Sequence, residues 1–231
     1  MNFYRKMEDQ QRNTMETRLN QYSLNEEIAN GITHGIGIIL AIAALGVLTA
    51  FAGIYGNAWH MVSVSVYGTT LILLYTASTL YHSIQNPRAK RIFQLLDHSA
   101  IFLLIAGTYT PFTLVNLRGP WGWGLFGVIW GLAVLGVVLN LSLSRRWRSA
   151  SLLLYIGMGW VVVVAIKPLV ATVPVNGIVF LFLGGMSYTA GILFYGWKRL
   201  KFHHAIWHVF VLTGSILHFF AVLFYVLPLT D

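Results

Sequence analysis

The stretch Phe202-His203-His204-Ala205-Ile206-Trp207-His208 carries the densest chemistry in the chain. His204 and His208 are four residues apart, so on a helix they share a face, one turn from each other. That spacing lets two imidazoles converge on one metal ion. It also suits two hydrogen-bonded or interfacial histidines at a membrane boundary, because the stretch opens a long apolar run in which polar groups must be satisfied. The other polar residues decide between these readings. Glu27, Asn30 and His34 stand three and four apart at the start of another apolar run. Ser78 and His82 are four apart near the end of the next, and Asp97 and His98 open the one after.

The elements that must position these residues are membrane helices. Of 231 residues, 57% are hydrophobic and only 10% charged, whereas a soluble domain carries about 25% charged residues. Mean hydropathy is +0.69. This is the composition of a polytopic membrane protein. Cysteine is absent, so a transition-metal site has to use imidazole and carboxylate. The first 22 residues read as a polar, mixed-charge tail without the apolar core of a cleavable signal peptide. Ser23-Leu24-Asn25-Glu26 then matches a capping box that starts a helix. Residues 23–231 form one membrane domain with seven apolar runs, at about 28–54, 61–83, 96–116, 121–142, 150–171, 175–197 and 204–228, each near the ~20 residues that span a bilayer. The fold class is all-α, a seven-transmembrane helix bundle whose short loops make successive spans antiparallel neighbours. Pro111 and Pro168 are expected to kink or end their helices, and Gly127 with Gly131 forms a small-residue packing pair.

Orientation follows from Lys and Arg. The tail, the loop after span two (Arg88, Lys90, Arg91), the loop after span four (Arg145, Arg146, Arg148) and the loop after span six (Lys198, Arg199, Lys201) hold all but Arg118 and Lys167 of the 15 basic residues. The N-terminus is therefore expected in the cytoplasm and Asp231 outside. The net charge of +8 is then a topology signal with attraction to anionic lipid, and no nucleic-acid partner is expected.

Threading the spans in this direction puts Glu27, Asn30, His34, Ser78, His82, Asp97, His204 and His208 in the cytoplasmic half of the bilayer. Three imidazoles, from His82, His204 and His208, with one open position make the ligand set of a catalytic zinc site, where a bound water has its pKa lowered toward ~7. Asp97 is the candidate base that orients or deprotonates that water, the alternative being an interfacial carboxylate paired with Arg91 or a helix-start charge. Ser78, one turn from His82, is placed to hydrogen-bond the water or a substrate carbonyl. Glu27, Asn30 and His34 are read as a polar clamp or pocket lining in preference to direct ligands. His98 points about 100° away from Asp97 and His203 away from its two neighbours. His218 reads as a buried hydrogen-bonded histidine and His60 as an outer-loop residue without a role.

Glu27-x2-Asn30-x3-His34, Ser78-x3-His82, Leu96-Asp97-His98-Ser99 and His203-His204-Ala205-Ile206-Trp207-His208 together resemble the progestin and adipoQ receptor superfamily, most of all its bacterial branch, the haemolysin III family. Each motif alone is weakly specific; four in order on the right spans are specific, and the resemblance covers residues 23–228. It implies a seven-helix zinc protein with its amino terminus inside, His82, His204 and His208 as ligands, and Asp97 near the metal-bound water. It also implies a hydrolase of lipid amides, because eukaryotic relatives resemble ceramidases, and a part in membrane lipid homeostasis; the bacterial name implies cytolysis. Three functions follow as expectations. The first is a zinc-dependent hydrolase of amide or ester bonds in a membrane lipid or fatty-acyl substrate. The second is a non-catalytic sensor with a structural zinc. The third, a lytic pore, is the weakest, because the outer halves of the spans are almost wholly apolar.

Overall fold

The computed structural model describes residues 22–142 and 147–228. The expected tail apart from Tyr22, including its four basic residues, lies outside the described residues, as do Arg145, Arg146 and Asp231. The described chain is helical without a strand: α1 (Leu24–Tyr55), α2 (Ala58–Ser83), α3 (Pro87–Pro111), α4 (Pro120–Ser142), α5 (Trp147–Trp160), α6 (Ile166–Thr172), α7 (Val175–Gly196) and α8 (His203–Tyr225). A 3-10 turn, Val161–Ala165, joins α5 to α6. Seven segments are long and apolar enough to cross a membrane, α5 and α6 together supplying the fifth.

The helix starts follow from their caps. The Ser23 hydroxyl accepts from Glu26 N–H, and the Glu26 carboxylate accepts from Ser23 N–H at 2.9 Å, which completes the expected capping box. The third helix starts nine residues before the expected 96, because the Asn86 side chain caps Arg88 and Ala89 N–H and Pro87 fills the first turn, where its missing N–H costs nothing. The second starts at Ala58, capped by Asn57. His60, expected in a loop, sits in that first turn, and its Nδ1 accepts from Asn57 N–H at 3.2 Å. Pro111 is followed by a π-helical turn, Phe112–Asn116, and Pro168 lies in the first turn of α6, just past the 3-10 break; both prolines disturb their spans as expected.

Burial is sorted by helix face. On α1 the inward stripe holds Glu27, Asn30, His34, Gly37, Ala41, Leu48 and Ala52, while Ile28, Ile32, Ile36 and Ile39 face outward. The helix is thus polar inside and apolar outside at one end, as lipid solvation requires. Gly37 lies so close to the Tyr75 ring that any Cβ would collide with it, so its small size lets α1 and α2 meet. Neighbours α1–α2, α2–α3, α3–α4 and α7–α8 pack along their length, and α8 closes against α1. By contrast α5 touches α3, α4 and α7 thinly.

Candidate metal centre

Antiparallel alternation brings the start of α1, the end of α2, the start of α3 and the start of α8 to one end of the bundle. There His82, His204 and His208 each offer a ring nitrogen within 4.8 Å of the others, all three side chains buried. A tetrahedral zinc with Zn–N of about 2.0–2.1 Å separates its ligand nitrogens by roughly 3.4 Å, a difference that small ring rotations span. The three form a group able to hold a metal ion. His203, outside the trio, turns its Nδ1 to the Phe194 carbonyl at 3.2 Å. The face read from the spacing of four is therefore the face that converges.

The ring orientations are fixed from behind. Glu27 Oε2 accepts from His82 Nδ1 at 2.5 Å; Asn30 Nδ2 approaches the same nitrogen at 3.4 Å, and the shorter contact sets the tautomer. His82 Nε2 is then left as the unprotonated face. His208 Nδ1 lies 3.2 Å from the Asn30 carbonyl and 3.1 Å from Thr33 Oγ1. Thr33 donates its own hydrogen to the Ala29 and Asn30 carbonyls, so His208 Nδ1 is the donor and Nε2 is the free lone pair. A histidine whose far nitrogen donates to a carboxylate or carbonyl is the usual arrangement behind a metal.

The near nitrogens complete the picture. His82 Nε2, His208 Nε2 and both nitrogens of His204 are buried without a protein hydrogen-bond partner. Buried polar atoms are nearly always paired, so this many orphans around one point fit a bound cation. The chain offers no thiolate, and three neutral imidazoles suit zinc, copper, iron or nickel.

Glu27 has the partner that an embedded carboxylate requires. Lys90 Nζ donates to its Oε1 at 2.8 Å and to the Tyr81 carbonyl at 3.2 Å. Lys90, expected in a loop as a topology charge, is almost fully buried. Glu27 thus bridges α1 to His82 of α2 and Lys90 of α3. Glu26 acts across the bundle as well: its Oε1 accepts from Phe202 N–H at 3.1 Å. Phe202, with φ of 57°, holds the left-handed conformation that disfavours non-glycine residues, and it sets the direction in which α8 begins. His34 stacks on His208, ring centroids 3.4 Å apart, and meets Tyr75 edge-on.

Asp97 is buried on α3, with His98, His82 and the Ser78 hydroxyl as neighbours of its carboxyl group. Ser78 Oγ makes no hydrogen bond of sound geometry. No ion pair joins Asp97 to Arg91 among the described residues; its carboxylate lies 3.7 Å from His98 Nδ1, which donates instead to the Gln94 carbonyl at 2.7 Å. Tyr22 closes this end, its ring 4.9 Å from that of His204 and 6.0 Å from that of His82. Burial, reinforced by neighbouring Tyr81, Tyr195, Glu27 and Asp97, holds its phenol above the usual range, so it stays protonated.

From His204, His34 and Asp97 a mostly apolar cavity runs along the thinly packed gap between α3, α5, α7 and α8, reaching Trp160 and His218. Spacing missed Lys90, Thr33 and Tyr22. A helix begun at Pro87 would have exposed Lys90, since Lys90, Gln94 and Asp97 are four and three apart on one face.

The profile of the family described as haemolysin-III related matches residues 22–219. The chain is 53% identical to "Hemolysin-3" of Bacillus cereus over 212 residues, covering 92% of this chain and 96% of that protein. It is 50% identical to the "Hemolysin-3 homolog" of Bacillus subtilis (strain 168), covering 88% and 96%. It is 26% identical to the human "Monocyte to macrophage differentiation factor", covering 85% and 83%.

Proposed function

The chain belongs to the haemolysin-III-related family and is a multi-pass membrane protein, and on that premise we propose that it is a zinc-dependent hydrolase of amide or ester bonds in membrane lipids. The observation that carries the reading is the set of unpartnered nitrogens on His82, His204 and His208, next to an apolar cavity that His204 and Asp97 line. The cavity wall fits an acyl chain lying between helices.

His82 Nε2, His208 Nε2 and one nitrogen of His204 would hold the zinc, which supplies Lewis acidity and lowers the pKa of bound water toward ~7. Glu27 and the Asn30 carbonyl keep the first two rings in the ligating tautomer. Asp97 accepts the proton of the attacking water and returns it to the leaving amine or alkoxide. Ser78 hydrogen-bonds the water or the carbonyl. His34 packs the far side of His208, and Tyr22 shields the site from bulk water. We place the N-terminus in the cytoplasm, so the site serves the inner leaflet; an N-terminal tag found outside the cell would reverse that assignment.

A second reading, a non-catalytic sensor, draws on the Glu27–Lys90–His82 network, which would let a metal tie three helices together. A lytic pore stands behind both, because a largely apolar cavity suits a chain better than a column of water. The test is mass spectrometry of ceramide and phospholipid mixtures incubated with purified, metal-loaded protein. The hydrolase releases free fatty acid, and Asp97→Asn keeps its metal but loses about 10²–10⁴-fold in rate. Metal-loaded protein that turns over neither amide nor ester lipids supports the sensor.

A further inference from the structure

The far end of the same cavity holds a polar group that the chemistry above does not use. His218 forms part of the cavity wall, ten residues beyond His208 on α8, or about 15 Å along the helix axis. Its ring is pinned. Nε2 donates to the Leu181 carbonyl of α7 at 3.1 Å, and a Cβ on Gly184 would collide with the ring. Tyr188 stands edge-on to it, centroids 5.4 Å apart. With the proton on Nε2, Nδ1 is a bare acceptor, buried and without a protein partner.

The surrounding hydroxyls are all engaged elsewhere. Tyr75 and Tyr188 meet Ser215 Oγ at 2.8 and 2.9 Å, Tyr67 donates to the Ser215 carbonyl, and Thr108 donates to the Leu104 carbonyl. Beyond the unpartnered nitrogens of His34 and His204 near the trio, the chamber therefore contains a further fixed, unanswered acceptor, about 15 Å along α8 from His208.

We propose that the cavity selects acyl chains carrying a hydroxyl, or another hydrogen-bond donor, about a dozen carbons from the carbonyl, with His218 Nδ1 as its acceptor. The proposal rests on the acyl-chain reading of the cavity and adds which chains it prefers. An extended chain with C–C bonds near 1.5 Å covers the ~15 Å in roughly a dozen methylene steps. A plain chain leaves the acceptor desolvated and unpaired, and a site built around a polar group discriminates strongly against ligands that lack its complement.

Native mass spectrometry of the purified full chain in an equimolar mixture of oleate and ricinoleate tests this directly. The two share length and double bond and differ by one mid-chain hydroxyl. The expected result is about tenfold retention of ricinoleate over oleate. An isomer hydroxylated beside the carboxyl should gain nothing, a control that needs no variant. His218→Phe should bring the pair to parity with metal content unchanged, and His218→Gln, which restores an acceptor, should keep part of the preference. Equal binding of oleate and ricinoleate by the wild-type protein, or equal gain for both hydroxyl positions, overturns the subsite while leaving the acyl cavity standing. Binding of neither chain removes the acyl cavity and the subsite together.

Discussion

Two buried polar clusters lie along α8, and they are built on opposite plans. Around Ser215, the hydroxyls of Tyr67, Tyr75 and Tyr188 all find partners within the bundle. That cluster joins α2, α7 and α8 and asks for nothing further. Around His204 and His208, the far nitrogens of His82 and His208 are tied to Glu27, Asn30 and Thr33, while the near nitrogens are left without partners. Both clusters are buried and both are rich in polar atoms, so burial alone does not separate a structural network from a binding site. The separating feature is which side of each ring is satisfied. In a region where an unpaired polar group costs several kcal/mol, lone pairs that converge without partners mark the place where a ligand completes the structure.

The comparison can be broken most forcefully at Glu27. Glu27→Gln removes the charge that orients His82 and neutralises Lys90. Metal affinity should fall about 10–100-fold, and stability by about 3–5 kcal/mol, because the lysine is left as an uncompensated buried cation. Adding Lys90→Met should recover stability in detergent melts without recovering metal affinity in a zinc-buffer titration. Recovery of both would make the network purely structural.

Ser215→Ala should behave in the opposite way. It strands the Tyr75 and Tyr188 hydroxyls and should cost about 1–3 kcal/mol, read as a lowered Tm, with metal affinity unchanged. A loss of metal from this variant would mean that the two clusters act as one.

The smallest effect is expected at Thr33. Thr33→Val removes one acceptor from His208 Nδ1 but leaves the Asn30 carbonyl in place, so metal binding should weaken by only about 0.5–1.5 kcal/mol. A loss as large as that of Glu27→Gln would show that the hydroxyl, not the carbonyl, sets the ring.

Much of this arrangement is legible in the chain. The capping box at Ser23, the face shared by Glu27, Asn30 and His34, and the spacing of His204 and His208 all follow from helical periodicity, which is local. What escaped is long-range or conformational. Lys90 was hidden because its charged surroundings, from Arg88 to Gln94, read as a loop, although Asn86-Pro87 is a sound helix start. No spacing rule links Thr33 to a histidine 175 residues away. Phe202 is not a glycine, so its left-handed backbone has no mark in the sequence; it depends on a carboxylate from the other end of the chain.

The central claim is that His82, His204 and His208 share one metal ion, and elemental analysis of the purified protein tests it most directly. The wild-type chain should carry close to one equivalent of zinc. His82→Ala, His204→Ala and His208→Ala should each carry almost none, while His203→Ala and Ser215→Ala match the wild type. Zinc retained at the wild-type level in any of the three histidine variants, or lost equally from His203→Ala, would contradict the assignment.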